Sequence, residues 1–349
     1  MIIDVHTHTP THRDVVPEDE VSYSSVANNL GPVKMTNTWA DYDAGTGAAD
    51  ITLVFNIQGR GGLRTQPVTL VDRLNQDTAD FAAADPARRI GFMSINPNFN
   101  GYLDEFEACV ELGLRGIKLG ANYQQFDPLG APARELYRRA QDRGLPVLFH
   151  QGTSPVRFAP LRYAHPLVTD EIAMDFPDLR IVMAHMGHPW TRETVVTIRK
   201  HPNVYADISA MCVRPMMAYE ALTQATEWGV LGKLLFGSDF PVITSARTIE
   251  ALRSVNDPVA GTGLPKISLE AIERIIHADA LTALGLSVPS PANSPVALCQ
   301  QAGEAVADVA VVPLAGHERG RVARVPGEKV HSAVVAGEDQ VGAGAGGLS

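Results

Sequence analysis

Short apolar runs punctuate this chain, and segments with helical spacing fill the gaps between them. The first run is Ile2-Ile3-Asp4-Val5. Others fall at residues 51–57, 90–95, 116–119, 146–150, 180–185, 204–208 and 233–237. Most are β-branched or Leu-rich and do not alternate, which predicts strands covered on both faces. Between them, Val68, Val71, Leu74 and Phe81 share one helical face, as do Leu103, Phe106 and Val110. Gly113 and Gly144 are placed as helix stops ahead of the next strand. Two further helices are predicted over 268–286, with Ser268 as an N-cap and Gly285 as a stop. Eight strands alternating with helices are the arithmetic of a (β/α)8 TIM barrel, with the active site at the carboxyl ends of the strands. A doubly wound sheet is the alternative. It would want a Gly-rich phosphate loop after the first strand, and none is present.

The pattern also sets the domain organisation. Residues 1–286 read as one α/β catalytic domain, with a long irregular loop after the first strand, from residue 9 to about 37. From 287 to 349 the composition turns to Ala, Gly, Val, Pro and Ser, with few large apolar anchors. That tail reads as low-complexity, disordered or loosely attached.

Composition narrows the function. The 349 residues are 45% hydrophobic and 19% charged, enough for a large core. No apolar run approaches the roughly 18 residues of a membrane helix, and no signal peptide is visible. The three cysteines, Cys109, Cys212 and Cys299, are scattered and odd in number. That fits a reducing compartment, so a cytoplasmic location is expected. A formal charge of −10 argues against nucleic acid as a partner. A homo-oligomer remains open.

The strand ends carry the chemistry. On a strand, residues i and i+2 share a face, so His6 and His8 project together. Two imidazoles there begin a transition-metal site, or are two solvated or capped histidines. Lys118 lies in the fourth strand, His150 and His185 end the fifth and sixth, and Asp239 follows the eighth. A closed barrel brings all six to one mouth, and five of the six are metal-ligand types.

Asp4-Val5-His6-Thr7-His8, Leu148-Phe149-His150, Met183-Ala184-His185-Met186-Gly187 and Phe236-Gly237-Ser238-Asp239-Phe240-Pro241 resemble the metal-dependent amidohydrolase superfamily. They are more similar to its amidohydrolase-related branch, of the aminocarboxymuconate-semialdehyde decarboxylase type. The resemblance covers residues 1 to 286. It implies one divalent metal per chain, zinc or another such as manganese, held by His6, His8, His150 and Asp239. It also implies that His185 acts in catalysis rather than as a permanent ligand. Lys118 bridges two metals if carboxylated, or pairs with an acid or a substrate carboxylate. Arg60, Arg64 and Arg157, in loops facing the mouth, are candidates for binding that carboxylate bidentately.

A metal with an open position lowers the pKa of bound water to about 7 and polarises a carbonyl. Asp239 suits proton acceptance, and His185 can polarise the carbonyl or protonate the leaving group. The expected function is a metal-dependent hydrolase of an ester, lactone or amide in a small carboxylated molecule. The alternative is a metal-dependent non-oxidative decarboxylase (carboxy-lyase) of an aromatic or muconate-like acid. Hydration of an unsaturated acid is a third reading, and a non-catalytic binding barrel a fourth.

Overall fold

β1 (Ile3–His8) is buried along all six residues and pairs in parallel with β2 (Ile51–Phe55), which pairs with β3 (Arg89–Gly91). A second parallel sheet runs in chain order through β4 (Ile117–Leu119), β5 (Val147–Phe149), β6 (Ile181–Met183), β7 (Val204–Asp207) and β8 (Leu234–Leu235). Backbone hydrogen bonds join the two sheets at both seams. Between β3 and β4, Met93 N–H donates to Gly116 O at 2.9 Å and Lys118 N–H to Met93 O at 2.7 Å. Between β8 and β1, Val5 N–H donates to Phe236 O at 3.0 Å and Asp239 N–H to His6 O at 2.8 Å. The eight strands thus form a (β/α)8 barrel. In this computed structural model, residues 1–10, 38–58, 73–154 and 156–288 are described.

Helices occupy the crossovers as expected: α1 (Trp39–Thr46), α2 (Arg73–Ala83), α3 (Tyr102–Glu111), α4 (Ala121–Gln124), α5 (Ala131–Asp142), α6 (Pro166–Asp175), α7 (Thr191–Lys200) and α8 (Pro215–Glu227). After β8 come α9 (Ser245–Arg253), α10 (Leu269–Ile276) and α11 (Ala280–Leu284). The Ser268 side chain caps α10, accepting from Ala271 N–H, and Gly285 ends α11 at φ 66°. Gly113 and Gly144 also take positive φ, at 85° and 66°.

The non-alternating strands have a packing reason. Val147 and Phe149 join the cluster that includes helix side chains such as Leu136 and Ile198. Leu148, between them, joins Ile3, Val5, Leu53, Phe55, Val182 and Leu235 in a second cluster, with Leu281 and Leu284 of α11. Both faces are buried, and each such aliphatic side chain contributes roughly 1.5–3 kcal/mol.

Two expectations are corrected. The strands are shorter than their apolar runs: 90–95 contributes only Ile90 and Gly91, and 233–237 only Leu234–Leu235. The chain leaves regular pairing to turn at the mouth, so His150 directly follows β5 and His185 lies two residues beyond β6. On α3 the buried face is Glu105, Phe106 and Cys109, whereas Leu103 and Val110 are half-buried. Glu105 can face inward because Gln58 and Asn75 both donate to its Oε1, at 3.0 Å each. On α2, Leu74 and Phe81 are buried as expected, while Val68 and Val71 lie outside the described residues.

Candidate functional site

β1 delivers its two histidines to the mouth beneath the turn that follows β8. Asp239 Oδ1 lies 3.2 Å from both His6 Nε2 and His8 Nε2, so one carboxylate oxygen sits between two imidazoles. Phe55 meets both rings edge-on, with centroids 5.2 and 5.1 Å away. The close approach of the segment after β8 favours a glycine: a Cβ at Gly237 would stand 3.0 Å from His6 Cβ and 3.3 Å from Ser209 Cβ. Asp4 holds the same seam from below. Its Oδ1 accepts from Ser238 N–H at 2.9 Å, and its Oδ2 from the Ser245 hydroxyl at 2.7 Å.

β7 supplies a residue that motif reading passed over. Asp207 is fully buried, and its Oδ2 accepts from His6 Nδ1 at 2.9 Å. Donation from the Nδ1 of His6 to a buried carboxylate, with Nε2 turned to the mouth, is the carboxylate–histidine arrangement of metal sites. The one available signal was an acid closing an otherwise apolar buried run, Val204-Tyr205-Ala206-Asp207. Burial pushes the Asp207 carboxyl up, but His6, His185 and Ser209 hold it well below the usual range. Asp239 is likewise held low against its burial by His6, His8 and His185. For His6, burial and Lys118 disfavour the cation, and Asp207 and Asp239 more than offset them, raising its pKa.

His185 and His150 are the opposite case. Burial lowers His185 to about 4 and His150 well below its ordinary value, so both are neutral near pH 7. Lys118 is also fully buried. Its Nζ donates to His6 Nε2 at 3.1 Å and lies 4.6 Å from the Phe55 ring centroid. Burial pulls Lys118 down to about 7, against the attraction of Asp207 and Asp239. Near neutrality a large share is therefore the uncharged amine.

Two groups could hold an ion among the described residues: His6, His8 and Asp239, and His6, His185 and Asp207, each with donor atoms within 4.8 Å. Three of the four ligands expected from sequence thus converge. His150 is in neither group; its ring centroid is 5.1 Å from that of His185, and its buried Nε2 has no hydrogen-bond partner among the described residues. The donors fit a divalent transition metal: imidazole nitrogens and a carboxylate, an orphaned imidazole nitrogen nearby, and a carboxylate behind His6. Lys118 Nζ stands 3.1 Å from His6 Nε2, the atom an ion would use. Arg157 sits on an exposed turn after β5, while Arg60 and Arg64 lie outside the described residues.

The backbone singles out the same place. His185 (φ 55°), Met186 (φ 45°), Ala210 (φ 54°) and Asp239 (φ 69°) are left-handed without being glycine, and each follows β6, β7 or β8. Such conformers cost about 1–3 kcal/mol each and persist only where surrounding bonds enforce them. Here Asp207 Oδ1 accepts from His185 N–H at 2.9 Å, and His6 O accepts from Asp239 N–H.

The amidohydrolase family model matches residues 3–286. The chain belongs to the amidohydrolase family. No curated protein matches it. Solved structures do, and they show a TIM-barrel fold. One is an uncharacterized TIM-barrel protein of Bordetella bronchiseptica: 21% identity, TM-score 0.61, covering 81% of this chain and 99% of that one. A probable 2-pyrone-4,6-dicarboxylic acid hydrolase of Acinetobacter baumannii follows at 15% identity and TM-score 0.55, covering 82% and 99%. A 2,6-dihydroxybenzoate decarboxylase of Rhizobium gives 15% identity and TM-score 0.55, covering 81% and 98%. No helix among the described residues of this amidohydrolase is long and apolar enough to cross a membrane.

Proposed function

We propose that this amidohydrolase is a metal-dependent hydrolase that opens an ester, lactone or amide bond in a small carboxylated molecule. The observation that carries the reading is the ionised Asp239, with Oδ1 3.2 Å from both His6 Nε2 and His8 Nε2 at the strand ends. His6, His8, Asp239 and His150 would hold one divalent ion, zinc or manganese, which supplies Lewis acidity to a carbonyl oxygen and makes water a better nucleophile near neutral pH. Asp239 accepts the proton that water releases as it attacks. His185, neutral and beside both His6 and Asp207, handles the proton delivered to the leaving oxygen or nitrogen. The protonated share of Lys118, on the floor of the site, is with Arg60, Arg64 and Arg157 the cation set proposed to meet the substrate carboxylate.

The second reading is non-oxidative decarboxylation of an aromatic or muconate-like acid. It uses the same neutral His185, with its proton going to the carbon that loses carbon dioxide. The fold likeness to a dihydroxybenzoate decarboxylase keeps it in the test.

That test measures metal content, then incubates zinc- and manganese-loaded protein with carboxylated lactones and esters and with hydroxybenzoic acids. Ring-opened acid without carbon dioxide release is expected. Carbon dioxide release would replace the first reading with the second. Turnover of neither class by fully loaded protein would favour a non-catalytic barrel.

A further inference from the structure

We propose that Ser209 is a positioning residue for His185, setting which ring nitrogen carries the proton and linking that ring to Asp207. The inference rests on the reading of His185 as a proton-handling group and deepens it.

β7 ends at Asp207, and the turn that follows folds Ser209 back beside it, the Ser209 N–H donating to Asp207 Oδ1. The Ser209 carbonyl O lies 3.1 Å from His185 Nδ1, and the Ser209 Oγ 2.8 Å from the same nitrogen. A carbonyl oxygen only accepts, so His185 Nδ1 carries the hydrogen and Nε2 keeps its lone pair. The Ser209 hydroxyl donates to Asp207 Oδ1, leaving its own lone pairs for His185. Asp207 Oδ1 also accepts from the backbone N–H groups of His185, at 2.9 Å, and Ser209, at 3.0 Å. Asp207 Oδ2 accepts from His6 Nδ1 at 2.9 Å.

One fully buried carboxylate therefore orients His6 directly and His185 through a serine. A serine kept for packing alone would be satisfied by Asp207. Its Oγ instead also approaches both imidazoles, at 3.1 Å from His6 Nδ1 and 2.8 Å from His185 Nδ1. When His185 takes a proton at Nε2, the new charge lies one hydroxyl away from the Asp207 carboxylate, and the Nδ1 hydrogen stays where it is. The requirement is then geometric: the ring must present Nε2, and the β7 end enforces that.

The experiment uses the full chain with histidine-selective 15N labelling, the His185 resonances being those lost in His185→Ala. Wild type should show a single Nδ1–H tautomer at His185. In Ser209→Ala the carbonyl remains as a weaker anchor. There His185 should show mixed tautomers, metal content should be unchanged, and kcat should fall about 10- to 100-fold, the range for partners behind an active group, with KM within about twofold. Ser209→Thr, which keeps the hydroxyl, should restore the single tautomer and kcat to within about threefold of wild type. The proposal is overturned if Ser209→Ala keeps a pure Nδ1–H tautomer, keeps kcat within about twofold, or loses activity only in step with lost metal. Should the alanine variant not fold, Ser209→Thr decides alone: mixed tautomers there overturn it. A fully active His185→Ala would instead remove the underlying role of His185, a failure distinguishable from any result at Ser209.

Discussion

Two buried polar clusters lie in the same barrel wall, and they behave differently. One joins the ends of β1, β6, β7 and β8: His6, His8, His185, Asp207, Ser209 and Asp239. The other lies around β3 and its neighbours: Gln58, Asn75, Ser94, Glu105 and Gln124, all buried. In the second, amides meet complementary partners. Asn75 donates to Ser94 O at 2.9 Å and accepts from Ser94 N–H at 2.8 Å, while Gln58 N–H donates to Ser94 Oγ at 3.0 Å. None of these five residues has a left-handed backbone. In the first cluster, the His185 imidazole is held neutral, the Asp207 and Asp239 carboxylates are ionised, and the backbone is left-handed at His185 and Asp239. Burial of polar groups therefore does not mark the site. Opposed charge states and enforced backbone do.

The difference can be tested by breaking each cluster in turn. The largest effect should come from His185→Ala, which should retain most of the metal and lose about 10²–10⁴-fold in turnover, the range of a positioned acid or base. His150→Ala, measured alongside it, should lose metal instead. If both lose metal equally, His185 is a ligand and the assigned roles are wrong. Next, Asp207→Asn should weaken metal affinity about 10- to 100-fold by disturbing the partner of His6; a titration showing unchanged affinity would leave Asp207 a structural residue.

The amide cluster should respond in stability only. Asn75→Ala strands the Ser94 N–H and one bond to Glu105, so it should cost about 1–3 kcal/mol in denaturant unfolding, with kcat within about twofold. A large loss of kcat would erase the contrast between the clusters.

A smaller effect should appear in the pH dependence of the metal-free protein. Burial lowers His185 in the folded protein to about 4, from the ordinary histidine value of about 6.5. Between those values the unfolded chain binds a proton that the folded state refuses, so stability rises with pH through this window. His185→Ala should flatten the rise in thermal midpoint between about pH 4 and 6.5, and an unaltered slope would place it elsewhere. The smallest effect is expected outside both clusters: removing residues 290–349 should leave turnover and folding nearly intact, and an insoluble product would make that segment part of the domain.

Much of the frame was legible in the chain itself. Non-alternating apolar runs predicted parallel strands covered on both faces, and helix stops such as Gly144 and Gly285 fell at their expected places. His6, His8, His150, His185 and Asp239 could be assigned to strand ends because strand boundaries are local features, and a barrel then gathers those ends by construction. Tertiary structure alone decided how the gathered groups pair. Asp207 meets His6 across 201 positions of sequence, and Lys118 meets it across 112. Glu105 is turned inward by Gln58 and Asn75, while His150 falls outside the group formed by His6, His8 and Asp239. Periodicity reports which face a residue occupies, but not which distant side chain stands opposite. That is set by register and by the turn each strand makes as it leaves the wall, and it decides which lone pair is shared, which carboxyl stays ionised and which imidazole stays neutral.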